Sequence, residues 1–179
     1  MKRIALTLIT SFCLSACGGE DSKESSGTQI STNRTAAEII DEMEKKGELP
    51  ILDRSESLIG KDQNNNNIRD DIDRYITQEY KNNDQRIAVE QFAKQLQQGI
   101  EADKSDVIVL KKISFDQSRA VGCIYEKFPE DSQFAAKDVA QDLISVTTNT
   151  KQRLLAHIEM SKALDGTVLT LPEGDLCDE

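Results

Sequence analysis

The chain has a single histidine, His157, among 179 residues. It has no Walker-type or dinucleotide glycine loop and no Cys/His spacing suited to zinc. His157 sits beside Ile158 in a helical pattern, which is a surface or boundary position, and no nucleophile motif accompanies it. These absences leave an enzyme without an anchor residue, so no catalytic residue is assigned. Basic residues are also few: 22 Lys and Arg stand against 32 Asp and Glu, a formal charge of −10. Such a body repels nucleic acid, whose binding depends on neutralised phosphates, and excludes it as a partner. By steering, it favours cationic ligands or a basic protein partner. No apolar run is long enough to cross a bilayer, and no internal repeat is visible.

The start of the chain is different. Met1-Lys2-Arg3 is a positive n-region, and Ile4 to Leu14 is an apolar stretch too short to span a membrane. Ser15 and Ala16 then lead into Cys17, the architecture of a cleaved secretory signal. Leu14-Ser15-Ala16-Cys17 resembles the bacterial lipobox. That resemblance implies cleavage before Cys17, acylation of its thiol (palmitate among the chains), and a membrane anchor made of lipid. Gly18, rather than aspartate, after the cysteine resembles the pattern of lipoproteins sorted to the outer membrane. Residues 1–16 are thus expected to be a signal peptide and 17–34 a lipidated, flexible Gly/Ser-rich tether. Residues 35–179 form the folded domain, long enough for one core.

Of the four cysteines, Cys13 leaves with the signal and Cys17 carries lipid, so Cys123 and Cys177 remain. In an oxidising compartment two leftover thiols form a disulfide, and no neighbouring Cys or His offers either a metal.

Helical periodicity dominates the domain. Thr35-Ala36-Ala37-Glu38 fits a capping box, Ile39, Ile40 and Met43 share a face, and Gly47 with Pro50 stops the element, predicting a helix over about 36–46. Ile72, Ile76 and Tyr80 recur every four residues. After a break at Asn82-Asn83-Asp84, with Asp84 as the expected cap, Ala88, Phe92, Leu96 and Ile100 continue the period. The segment 107–113 fits either a short buried strand or a helix. Ser114-Phe115-Asp116-Gln117 predicts a new helix start, closed by Pro129. Asp131 or Ser132 is expected to cap a long last helix, with Thr147 to Thr150 as its weakest point, and Gly166 to Glu179 an extended tail that Cys177 pins. Tyr75, Tyr80, Phe92, Phe128 and Phe134 are expected in the core. The fold class is all-α, a small helical bundle.

One stretch carries chemistry. From Asp62 to Asp73, oxygen side chains fall at loop positions one, three, five, nine and twelve. A hard cation such as Ca²⁺ needs six to eight oxygens, and odd-position spacing on a tight turn points them inward. The predicted ligands are Asp62, Asn64, Asn66, the carbonyl of Ile68, Asp70 and Asp73. The loop resembles the EF-hand-like calcium loops of thrombospondin type 3 and dockerin proteins, which lack a full entering helix. It departs from the EF-hand pattern at Asn67, where glycine makes the turn, at Arg69, where an aliphatic residue packs, and at Asp73 in place of glutamate. The alternative is an Asn-rich turn whose aspartates favour the N-terminus of the next helix. With amides replacing two charged ligands, affinity is expected to be on the order of 10⁻⁴ to 10⁻³ M. A lone loop of this kind is a structural staple rather than a sensor.

The sequence therefore predicts a non-catalytic, lipid-anchored envelope protein, a binding or structural module steadied by calcium and a disulfide. Its alternative is an acidic periplasmic inhibitor or immunity protein that occludes a basic enzyme.

Overall fold

A computed structural model describes residues 34–178. The chain separates into Met1–Thr35 and Ala36–Glu179. The signal, Cys17 and the tether up to residue 33 lie outside the described residues. The domain is all-α, with six helices and no strand among the described residues. They are α1 (Ala36–Lys46), α2 (Asp70–Glu79), α3 (Asn83–Glu101), α4 (Val107–Lys127), α5 (Ala136–Thr147) and α6 (Lys151–Ala163).

α1 has the expected bounds: Glu38 lies in its first turn, Lys45 and Lys46 in its last, and Gly47 follows at φ +74°. None of its residues is buried. α2 buries Ile72 and Ile76 and hands the chain to Tyr80, as the four-residue recurrence predicts. The cap of α3 is Asn82, not Asp84; its side-chain oxygen accepts from the Asp84 and Gln85 amides at 2.9 and 3.1 Å. Asn and Asp cap about equally well, so composition alone did not decide between them.

α4 corrects a second expectation. Ser114 starts no helix; it lies inside one that runs unbroken from Val107, capped by Asp106, whose carboxylate accepts from the Val109 amide at 3.1 Å. The ambiguous 107–113 segment is helical because Leu110 and Ile113 bury against Met160 of α6, a contact that only the folded chain supplies. α4 ends before Pro129, as that proline requires. The expected cap at Asp131 or Ser132 is also replaced. The Ser132 hydroxyl donates to the Phe134 carbonyl at 2.5 Å, and α5 begins at Ala136 without a side-chain cap. Phe134 packs edge-on to Tyr80, 5.4 Å between centroids, which holds this stretch in a turn. The weak point at Thr147 to Thr150 is a full break, and Thr150 caps α6 through the Arg153 amide.

α3 lies at the centre, packed on α2, α4, α5 and α6. Its wide stripe of Ala88, Val89, Phe92, Ala93, Leu96 and Ile100 is buried. Tyr80 joins α2 to α4 by meeting Tyr75 and Phe128 edge-on at 6.3 and 5.7 Å. Of the five aromatics expected inside, Tyr80, Phe92 and Phe128 are buried, while Tyr75 and Phe134 pack partly buried against the same core.

After α6 the chain runs back over the bundle as a strap. Cys177 is disulfide-bonded to Cys123 of α4, with Cα atoms 4.9 Å apart. Gly122 makes room for this, since a Cβ there would lie 2.6 Å from the Leu176 Cδ1.

Candidate metal loop and its supports

Between the stretch 51–61 and α2 the chain makes a turn built almost entirely from its own Asp and Asn side chains. Asp62 accepts from the Asn66 and Asn67 amides at 3.3 and 2.9 Å. Asn64 accepts from the Asn66 amide at 3.2 Å, and Asn66 from the Ile68 amide at 2.9 Å. These bonds fold the backbone back on itself, with Asn65 and Asn67 at φ +53° and +65°, the left-handed region that asparagine tolerates. Asn67 therefore does what a glycine does at the sharp turn of an EF-hand. Across the turn, Asp73 Oδ2 accepts from the side-chain amides of Asn64 and Asn66 at 3.0 and 2.8 Å.

Four predicted ligands, Asp62, Asn64, Asn66 and Asp73, are thus linked around one turn. Ile68 buries its side chain in the main core at the loop's exit. Asp70 stands apart from that ring: its carboxylate accepts from the Gln63 amide at 2.9 Å and lines a neighbouring cavity of about 600 Å³ with Lys61, Asp53 and Arg74. Among the described residues, no three or more His, Cys, Asp or Glu side chains gather as a metal cluster.

Sequence reasoning missed what lies beneath the loop. Arg69, at the position where an EF-hand packs an aliphatic residue, is buried, and so is Ile68 beside it. Its guanidinium grips Asp71 through two bonds of 2.9 and 2.8 Å, then donates to the Thr147 carbonyl at 2.9 Å and to Asn149 at 3.3 Å. Asp71 also accepts from the Asp53 amide at 2.9 Å. Arg153 of α6, fully buried, closes the circuit. It donates to the Asp53 carbonyl and carboxylate at 2.6 and 3.0 Å and to Asn149 at 3.0 Å. The loop is therefore clamped to the α5–α6 junction, far away in sequence. Gly60, at φ +68°, completes the fit, because a Cβ there would collide with the Arg69 Cδ.

Burial alone raises the Asp71 carboxyl, but the hydrogen bonds and charge of Arg69 outweigh it and hold Asp71 below the ordinary aspartate value. Asp53 is likewise held low: Ser55 and Arg153 overcome its desolvation. Burial, then the like charge of Arg69, weaken the hold of Arg153 on its proton, and Asp53 and Asp71 offset them only in part. The only sequence sign of this circuit was a charged pair, Arg69 and Asp71, flanking core residues; nothing local marked Asp53 or Arg153 as partners.

The other predicted sites fall out plainly. Cys17 lies outside the described residues, and Cys123 with Cys177 forms the disulfide. His157 is half-buried, its imidazole pushed by burial towards the neutral form. No described helix is long and apolar enough to cross a membrane. Compared with protein-family models, curated proteins and solved structures, the chain gives no match. Fold and site together define an all-α bundle with a disulfide-pinned strap and an Asp/Asn loop on a buried ion network.

Proposed function

We propose that this protein is a lipid-anchored helical module of the bacterial envelope, held at the outer membrane through Cys17. It binds or builds rather than catalyses, and Ca²⁺ steadies its 62–73 loop. The anchor rests on Leu14-Ser15-Ala16-Cys17, and the calcium part of the reading is carried by the loop's closure: Asp73 is tied across the turn to Asn64 and Asn66 while Asn65 and Asn67 are left-handed. The donor set suits a hard cation: the ring offers the carboxylates of Asp62 and Asp73, the amide oxygens of Asn64 and Asn66 and the Ile68 carbonyl, and Asp70 would join by leaving the Gln63 amide. Bound Ca²⁺ would replace the two amide bonds on Asp73 with a single shared charge. That exchange, with so few carboxylates, places the affinity at the weak extracellular end. The acidic surface favours a second reading, an inhibitor that occludes a basic partner.

The test is thermal. At a hundredfold excess over the dissociation constant, binding to the folded state adds about 2.7 kcal/mol. Millimolar Ca²⁺ should raise the melting temperature, and Mg²⁺ much less, because it demands a smaller octahedral site. Asp62→Ala should remove the difference, whereas Asp21→Ala in the tether should not. Identical melts in calcium and in chelator would reduce the loop to a turn.

A further inference from the structure

The strap carries a feature that neither calcium nor the disulfide uses. From Thr167 to Glu173 it runs without a bend, and among the described residues the backbone from Val168 to Gly174 makes no hydrogen bond. Its residues are Val168-Leu169-Thr170-Leu171, all exposed, with Val168 87% and Leu171 77% exposed. Such residues suit a strand, and apolar side chains beside unpaired backbone groups are what natural proteins ordinarily blunt with charge or proline. No charge interrupts the run between Gly166 and Pro172.

The segment is also held at both ends. On the α6 side, Gly166 turns at φ +71°, and the amide and hydroxyl of Thr167 both donate to the Leu164 carbonyl at 3.0 and 2.8 Å. On the other side, the buried Gln91 side chain donates to the Leu176 carbonyl and accepts from the Asp178 amide, each at 3.0 Å. The disulfide lies between these two bonds, and Arg119 pairs with Asp178. Leu169 and Leu171 line shallow cavities along α4 and α6, which leaves Val168 and Thr170 as the alternate positions. Ordering an extended chain is a main cost of strand pairing, and here that cost falls on folding rather than on binding.

We propose that Thr167–Leu171 is a docking edge that takes an extended, Lys/Arg-flanked segment of a partner protein as an added β-strand. Charge selects the partner. Asp165 stands at one end of the edge and Glu173 and Asp175 at the other, on a chain of formal charge −10. A second copy fits poorly: antiparallel pairing centred on Leu169 would set Asp165 opposite Glu173 of the other copy, and like charges directly opposed are destabilising. A strand with basic flanks turns both ends into attraction, while main-chain bonds supply affinity and alternate side chains supply register.

The test uses the full-length protein and a labelled Lys-Lys-Val-Thr-Val-Thr-Val-Lys-Lys peptide, read by fluorescence anisotropy. Saturable binding is expected, with a loss of about tenfold or more when the flanking lysines become glutamates. Two N-methylated peptides separate strand addition from greasy adhesion, because only one alternation of amides faces the edge. One should lose binding and the other keep it. Val168→Lys should weaken the lysine peptide while leaving the melting temperature unchanged, since Val168 is exposed. No binding, equal binding by both methylated peptides, equal binding of lysine and glutamate forms, or self-association through this segment would each overturn the proposal.

Discussion

Arg69 shows how one side chain can reverse what its position in a motif implies. Packing a charge where an aliphatic residue belongs would cost several kcal/mol if the charge stood alone. Two bonds to Asp71 and one each to Thr147 and Asn149 satisfy the guanidinium instead. Arg69→Ala should therefore destabilise by about 3–5 kcal/mol, since it strands Asp71, whereas a well-packed Arg69→Met/Asp71→Leu pair should cost far less. Urea unfolding of both variants checks this. The same circuit fixes an acid limit. Asp71 and Asp53 titrate lower folded than unfolded, so their contribution is complete above the ordinary aspartate value of 3.8 and is lost as pH falls through their folded values. Asp71→Asn should flatten the acid limb of a stability-versus-pH curve; an unchanged limb would mean other carboxylates set it.

At the scale of elements, caps and breaks decide what hydrophobic periodicity leaves open. α5 and α6 carry one apolar pattern across Thr147 to Thr150, yet the chain breaks there because the Thr147 carbonyl and Asn149 serve Arg69, and the Thr150 side chain caps α6. Thr150→Ala should cost about 1 kcal/mol, measurable as a lower melting temperature. The strap is the other element-scale device. Its disulfide joins positions 54 apart, and closing a loop of that length is worth about 4 kcal/mol on chain entropy. Cys177→Ser should lower the melting temperature, and proteolysis should then cut the strap before the bundle, because only the Gln91 and Arg119 bonds and the packing of Leu176 would still hold its end. The bounds of α1 were legible, since Gly47 and Pro50 mark its stop, but its apolar face of Ile39, Ile40 and Met43 has no buried residue. The start of α4 was not legible: Val107 to Leu110 is too short for periodicity, and the deciding contact with Met160 lies fifty residues on.

For the whole molecule, the proposed anchoring in the envelope rests on the run from Met1 to Cys17 alone. Cys17→Ser should leave an unprocessed, unlipidated precursor, detected as a larger, soluble-extracting band, while the purified domain keeps the same melting temperature. Normal maturation of that variant would remove the lipid anchor from the proposal.

The sequence by itself determined the all-α class, most helix faces, the pairing of the two remaining cysteines, and the composition of the Asp/Asn loop. Those are matters of period, turn chemistry and elimination, and all of them are local or countable. Only the tertiary structure decided that Ser114 lies within α4, that Asn82 rather than Asp84 caps α3, and that Asp53 and Arg153 meet Arg69 and Asp71. A buried charge is tolerable only beside its partners, and partners a hundred residues apart, such as Asp53 and Arg153, become neighbours only when the core between them closes.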